Sequence, residues 1–235
     1  MSSPPSRFST PRAISFLSSP KAPRVFTPTQ LSEELTENGI PVVSSLQMHR
    51  FLSKLQDLSL VNKVHHGVYL NSMARPAVLL DEAAGLIRSG AVVSMQTVLG
   101  RWGVLNNPVP YVSCVMPGNT NSGSVKTRAG VIKFFSIRPD LVHRKDDPQW
   151  NELAFTSASN PTATPEKALL DWLWLSSSVS TSKLSAPPLH DIELDDLNPE
   201  ALDVLAEKMS LSQRLEDFRG GRLISSTPAK KPKLR

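Results

Sequence analysis

The first stretch with apolar residues at helical spacing covers residues 27–37. Thr27 can cap a helix, Pro28 suits the first helical position because its missing N–H would be unpaired there anyway, and Gln30 completes a capping box. Two leucines one turn apart face one side of this helix, and three glutamates face the other. The pattern predicts a supporting helix, because its acidic outer face would repel phosphate.

A second apolar run covers Ser45–Leu58. Its large apolar residues recur every three or four positions and therefore gather on one side of a helix. They are Met48, Phe51, Leu52, Leu55 and Leu58. The opposite arc is polar and carries Arg50 and Lys54 one turn apart, close enough to contact neighbouring phosphates or, for Arg50, a guanine edge. An ordinary solvated helix face is the alternative interpretation of the same pattern.

A β-hairpin is predicted directly after this helix, over Lys63–Leu70. Apolar residues flank a His-His-Gly turn, in which Gly67 tolerates positive φ. Two helices followed by a short hairpin are the plan of a winged helix-turn-helix, so the sequence predicts DNA binding. The predicted DNA contacts are Ser45, Gln47, His49, Arg50, Lys54, Lys63, His65 and His66. A metal site at the paired histidines is the disfavoured alternative, since no Asp, Glu or Cys lies nearby at ligand spacing.

The remainder of the chain mixes helix and strand signals. Strands are predicted at Val109–Val115 and Lys126–Ile137, and Thr164 and Pro165 form the start signal of a buried helix. The predicted fold class is therefore α+β, with an N-terminal winged helix-turn-helix followed by a mixed α/β C-terminal domain. The predicted bounds are 1–24 for a disordered Ser/Pro-rich tail, 25–72 for the DNA-binding domain, 76–222 for the C-terminal domain and 223–235 for a basic flexible tail.

Charge and cysteine content narrow the class of protein. Lysine and arginine number 26 against 21 aspartates and glutamates, and the net charge of +5 permits an anionic partner without requiring one. The single cysteine, Cys114, excludes an intramolecular disulfide and a cysteine-based zinc cluster. No apolar run approaches the roughly 20 residues of a membrane helix, and the N-terminus lacks the apolar block of a signal peptide. We expect a cytoplasmic protein with no membrane partner.

No catalytic motif emerges from the sequence. Gly118–Ser124 lacks the lysine and the spacing of a phosphate-binding loop, and the acidic run Asp191–Asp196 lacks the spacing of a metal-binding loop. No nucleophile and base can be paired by an argument from the sequence. We therefore expect no enzymatic activity, no cofactor and no bound metal.

Three segments together resemble the AbiEi-like antitoxins, bacterial regulators of toxin–antitoxin systems related to abortive phage infection. They are Gly67–Tyr69, Ser94–Gly103 and Ala163–Asp171, and the resemblance covers about Val25–Arg219. It implies that the N-terminal domain represses its own operon by binding operator repeats. It also implies that the C-terminal domain counters a nucleotidyltransferase-like toxin.

The C-terminal domain offers further candidate contacts to a partner or to nucleic acid. A basic series runs through its middle part: Arg128, Lys133, Arg138, His143, Arg144 and Lys145. Strand faces carry such residues routinely, so an ordinary surface is the alternative. Lys167 follows the Thr-Pro-Glu start of the predicted buried helix and is a partner contact only if it is exposed.

Two other functions stay open from the sequence. One is a transcriptional regulator whose C-terminal domain senses a ligand or pairs subunits, with no toxin partner. The other is a protein-interaction adaptor whose winged helix binds no DNA. A neighbouring reading frame for a nucleotidyltransferase-like protein favours the antitoxin, whereas absence of DNA binding favours the adaptor.

Overall fold

The protein is described by a computed structural model over residues 8–42, 44–118, 122–142, 144, 146–157, 160–177 and 184–223. Backbone contacts divide the chain into two compact units. The first runs to Ser89 and also includes Lys126–Gly130, and the remaining residues form the second. The boundary thus lies later than the sequence predicts, and the predicted basic tail lies outside the described residues from position 224 onward.

Three helices and three strands form the body of the first unit. Their bounds are α1 Thr10–Leu17, β1 Val25–Phe26, α2 Pro28–Glu37, α3 Ser45–Asp57, β2 Val61–His65 and β3 Val68–Asn71. The strands form an antiparallel sheet in the order β1-β3-β2. A 3₁₀ turn at Leu80–Ala83 and the short helix α4, Ala84–Ile87, follow the sheet.

The local signals that predict α2, α3 and the hairpin are all present in the structure. Gln30 N–H donates to Thr27 Oγ1 at 3.3 Å and Thr27 N–H donates to Gln30 Oε1 at 2.9 Å, which confirms the capping box. Gln47 N–H donates to Ser44 Oγ at 3.2 Å at the start of α3. Gly67 has a φ of 66° between β2 and β3, a conformation that glycine adopts without strain.

Helix α1 corrects the prediction of a disordered N-terminal tail, in which the sequence indicates at most a helical turn at Ala13–Leu17; residues 1–7 of that tail lie outside the described residues. Ala13 and Leu17 are fully buried, and they pack in one apolar core with residues of α2, α3 and the sheet. The ring of Phe8 meets that of Phe51 edge-to-face at 5.1 Å. The segment is rich in Ser and Pro, but its few apolar side chains fall on one face of a short helix, and tertiary packing stabilises that helix.

A buried asparagine ties the end of α1 to the sheet. Asn71 is 0% exposed, its Nδ2 donates to Leu17 O at 2.8 Å and to Pro23 O at 3.3 Å, and its Oδ1 accepts from Met73 N–H at 3.1 Å. Leu17 is the last residue of α1, where carbonyl groups lack a partner within the helix. Asn71 therefore supplies the donor that the helix end requires.

An arginine attaches the segment after the hairpin to the first unit. Arg24 donates to both carboxylate oxygens of Glu82, at 2.7 and 2.9 Å, and its Nη1 donates to Pro76 O at 2.9 Å. The hydrogen bond with Glu82 raises the pKa of the Arg24 guanidinium. These bonds explain why the first unit continues past residue 72, the end of the predicted DNA-binding domain.

The elements after α4 form a mixed sheet and further helices. They are β4 Val92–Val93, α5 Gln96–Arg101, β5 Val112–Pro117, β6 Gly123–Thr127, β7 Gly130–Ile137, α6 Pro148–Ala154, α7 Pro165–Leu175, α8 Pro199–Lys208 and α9 Ser212–Arg219. The strand order is β4-β5-β7-β6, with β4 antiparallel and β7 parallel to β5. Helix α7 is buried along its whole length and contacts α5, α6, α8 and α9. The described structure is therefore α+β, as predicted.

Helix α7 carries a buried ion pair. The side chains of Lys167 and Asp171 are 1% and 0% exposed and form a salt bridge one turn apart, and Ser94 Oγ donates to Asp171 Oδ2 at 2.7 Å. Desolvation lowers the pKa of Lys167 and raises that of Asp171, although each charge partly offsets the effect on the other. Lys167 is closed to any partner, so its prediction as a contact is wrong. The hydroxyl of Ser94 is thus used by Asp171, and helix α5 begins two residues later, at Gln96.

Replacing Asn71 with alanine should lower the free energy of unfolding by about 1–3 kcal/mol, because the buried carbonyl of Leu17 loses its side-chain donor. Urea unfolding followed by circular dichroism measures the loss. Asn62→Ala, at a half-buried position of β2, is the matched control and should change the same quantity by less than about 0.5 kcal/mol. Equal losses in the two variants would contradict the role of Asn71.

Lys167→Met should lower the free energy of unfolding by about 3–5 kcal/mol at neutral pH, because the buried carboxylate of Asp171 loses its cation. The double variant Lys167→Met/Asp171→Leu removes both charges and should recover most of this loss. The single variant should also regain stability as the pH falls. Burial raises the pKa of Asp171 in the folded state above its unfolded value, so protonation favours the folded state.

Thermal unfolding between about pH 7 and about pH 5 measures both effects, since this interval lies above the ordinary pKa of an aspartate. A single variant as stable as the unmodified protein at neutral pH would contradict the importance of the ion pair.

Candidate functional site

Burial of one side of α3 determines which of its residues face outward. Met48, Phe51, Leu52 and Leu55 lie in the core of the first unit, whereas Leu58, predicted on the same side, is 53% exposed because α3 ends at Asp57. The predicted DNA contacts of this helix are all exposed or half-buried; they are Ser45, Gln47, His49, Arg50 and Lys54. The structure places these residues on two sides of the helix, whereas the sequence predicts that they form one surface.

Three of these contacts lie with an exposed leucine along one groove of about 380 Å³. The groove is lined by Phe8, Thr10, Ser44, Leu46, Gln47, Arg50, Phe51 and Lys54. We call Leu46, Gln47, Arg50 and Lys54 the Arg50 face. It combines two cations, an amide and an apolar side chain, and none of the described residues that line the groove is acidic. This surface can accept an anion and donate hydrogen bonds to polar edges.

Ser45 and His49 line a different groove, of about 490 Å³, on the side of α3 that adjoins α2. Pro28 and Glu33 also line it. The carboxylate of Glu33 lowers the electrostatic attraction of this groove for a phosphate. Ser45 and His49 are therefore less suited to contact a nucleic-acid backbone than the residues of the Arg50 face.

The hairpin exposes Lys63 and His66, and His65 is half-buried. Lys63 lies opposite Tyr69 and His65 opposite Val68, and the register shifts between Lys63 and His65. This irregularity allows the strand to bend near its tip. The rings of His65 and His66 meet edge-to-face at 5.8 Å, and His66 is exposed at the turn.

Residues Lys126–Gly130, which belong to the first unit, bring further basic residues to the hairpin. A groove of about 390 Å³ is lined by Lys63, Val64, His65, His66, Lys126, Thr127 and Arg128. The structure thus joins Arg128 to the predicted hairpin contacts. Lys126 lines the same groove. Its place there could not be predicted from the sequence, because only tertiary contacts assign it to the first unit.

The other basic residues of the predicted series have partners within their own unit. Lys133 Nζ lies 3.7 Å from the centre of the Tyr111 ring, and Arg138 donates to both oxygens of Asp140 at 3.0 and 2.5 Å. The hydrogen bond from Arg138 lowers the pKa of the Asp140 carboxyl. Arg144 lies over the Trp150 ring, at 4.4 Å from its centre. His143 and Lys145 lie outside the described residues.

No three His, Cys, Asp or Glu side chains among the described residues group closely enough to hold a metal ion. No helix in these residues has the length and apolarity needed to cross a bilayer.

Comparison with known proteins identifies a related fold. No protein-family model matches this sequence, and no curated protein matches it. The crystal structure of the RV2827C protein from Mycobacterium tuberculosis is similar, with a TM-score of 0.54 and 16% sequence identity. The similarity covers 91% of this chain and 78% of that chain. At this identity the likeness concerns the fold alone.

Proposed function

We propose that the protein binds operator DNA, represses its own operon and acts as the antitoxin of a toxin–antitoxin system. In this proposal the elements from α1 to β3 form a winged helix-turn-helix. Helix α3 enters the major groove, α2 supports it, and the β2–β3 hairpin is the wing. The observation that supports DNA binding is the Arg50 face. It lies on the exposed side of α3, lines a groove without acidic residues among those described, and belongs to a helix that a short hairpin follows.

The side chains of the Arg50 face can contact both the base edges and the phosphate backbone of a DNA duplex. Arg50 is exposed and can donate two hydrogen bonds to the O6 and N7 atoms of guanine. Lys54 lies one turn further along α3, also exposed, and can contact a phosphate. Gln47 stands in the first turn of the helix, the part of a recognition helix that usually approaches the bases.

The hairpin groove supplies a second set of phosphate contacts in this proposal. Lys63, Lys126 and Arg128 line it together with the two histidines. A duplex held by both surfaces would bind in a strongly salt-dependent way, because each phosphate contact releases counterions.

The double variant Arg50→Ala/Lys54→Ala should bind the DNA upstream of its own reading frame at least about tenfold more weakly, since it loses one base contact and one phosphate contact. Fluorescence anisotropy with a labelled promoter fragment at several salt concentrations measures affinity and salt dependence. Lys54→Ala alone should reduce the log–log salt slope by about one. Both residues are exposed, so thermal stability should stay unchanged.

A charge-matched control separates specific contacts from net charge. Lys21→Ala/Arg75→Ala also removes two exposed cations from the first unit, but neither residue lines the grooves at α3 or the hairpin. Its affinity should stay close to that of the unmodified protein. An equal loss in both double variants, or no DNA binding by the unmodified protein, would overturn α3 as the recognition helix.

The antitoxin part of the proposal rests on the resemblance to the AbiEi-like family. One of the segments that carry this resemblance, Ala163–Asp171, lies largely within the buried helix α7. Its family likeness therefore concerns the packing of the second unit. A toxin bound directly by this unit would have to contact other, exposed residues.

Co-expression with the adjacent gene tests the antitoxin activity. If that gene encodes a nucleotidyltransferase-like toxin, its expression should stop growth, and this protein should restore it. Arg50→Ala/Lys54→Ala should still restore growth from a plasmid with an unrelated promoter, because the resemblance assigns toxin antagonism to the C-terminal part. Failure of the unmodified protein to restore growth would reject the antitoxin function and leave DNA binding as a separate result.

A further inference from the structure

An exposed leucine stands among the polar residues of the Arg50 face. Leu46 is 57% exposed, although it lies in the first turn of α3 and immediately precedes Gln47. It contributes nothing to the core cluster formed by Met48 and its neighbours. The helix therefore presents an apolar side chain to solvent at the end that the proposed function brings to the bases.

The surroundings of Leu46 indicate what it can contact. It lines the same groove as Arg50 and Lys54, and it precedes Arg50 by one helical turn. In the major groove of DNA the C5 methyl of thymine is the apolar group on the base edges, and it lies beside hydrogen-bond acceptors and donors. A groove with an apolar side chain next to an arginine matches this combination.

We propose that Leu46 contacts the C5 methyl group of a thymine in the operator and makes that base pair a determinant of specificity. This inference rests on the proposed DNA binding and deepens it. Arg50 and Lys54 supply hydrogen bonds and charge, whereas Leu46 distinguishes thymine from the other bases by apolar contact. The methyl group loses its contact with water when the leucine covers it.

Deoxyuridine tests this contact because it differs from thymidine only in lacking the methyl group. The full-length protein is first footprinted on the DNA upstream of its own reading frame. Each thymine in the protected region is then replaced singly by deoxyuridine, and affinity is measured by fluorescence anisotropy. At one or more positions the unmodified protein should bind about fourfold more weakly, the factor expected from losing one buried methyl-sized group.

Leu46→Ala should bind the thymine-containing operator more weakly and should respond much less to deoxyuridine at that position. Leu58→Ala is the matched control, because Leu58 is 53% exposed next to the C-terminal end of α3 and does not line the groove. It should keep the full response to deoxyuridine. Circular dichroism of both variants should match that of the unmodified protein, since both leucines are exposed.

The outcomes separate this inference from the function on which it rests. Specific DNA binding with no position sensitive to deoxyuridine would overturn the inference and leave the DNA-binding proposal intact. An unchanged deoxyuridine response in Leu46→Ala would do the same. Absence of specific DNA binding by the unmodified protein would overturn both, and the exposed Leu46 would then be a candidate protein contact.

Discussion

The burial of one apolar stripe on α3 is the constraint on which the candidate site depends. Met48, Phe51, Leu52 and Leu55 pack in the core of the first unit, together with residues of α1, α2 and the sheet. Their burial fixes the rotation of the helix about its axis, because a turn of the helix would expose them to water. The same rotation directs the Arg50 face outward. The buried core stripe and the exposed Arg50 face thus both follow from one pattern of apolar and polar residues along the helix.

The two units use buried polar groups in different ways. In the first, Asn71 hydrogen-bonds backbone groups at a helix end and in a loop, so a neutral side chain joins segments distant in sequence. In the second, Lys167 and Asp171 neutralise each other within a helix that is buried on every side. Both arrangements satisfy groups that would otherwise be costly to bury. The segment Ala163–Asp171, which resembles a family motif, therefore serves the packing of the second unit.

Elements with strong local signals could be predicted from the sequence. The capping box at Thr27 and Gln30, the apolar spacing in α3 and the glycine turn of the hairpin all depend on residues a few positions apart, and the structure contains each element. Helix α1 could not be predicted in this way, because its stability comes from packing against distant segments. Lys167 was expected to contact a partner only if it was exposed. The local sequence could not decide this, because a lysine paired within a buried helix has the same local sequence as one in solvent.

The sequence by itself determined which residues form the amphipathic helix α3 and the hairpin, since periodicity and capping operate over one or two helical turns. Tertiary structure alone decided how they are grouped. It separated Ser45 and His49, beside Glu33, from Gln47, Arg50 and Lys54, and it added Lys126 and Arg128 to the hairpin groove. This grouping depends on which segments contact each other in the folded chain. Apolar packing between segments far apart in the sequence decides those contacts.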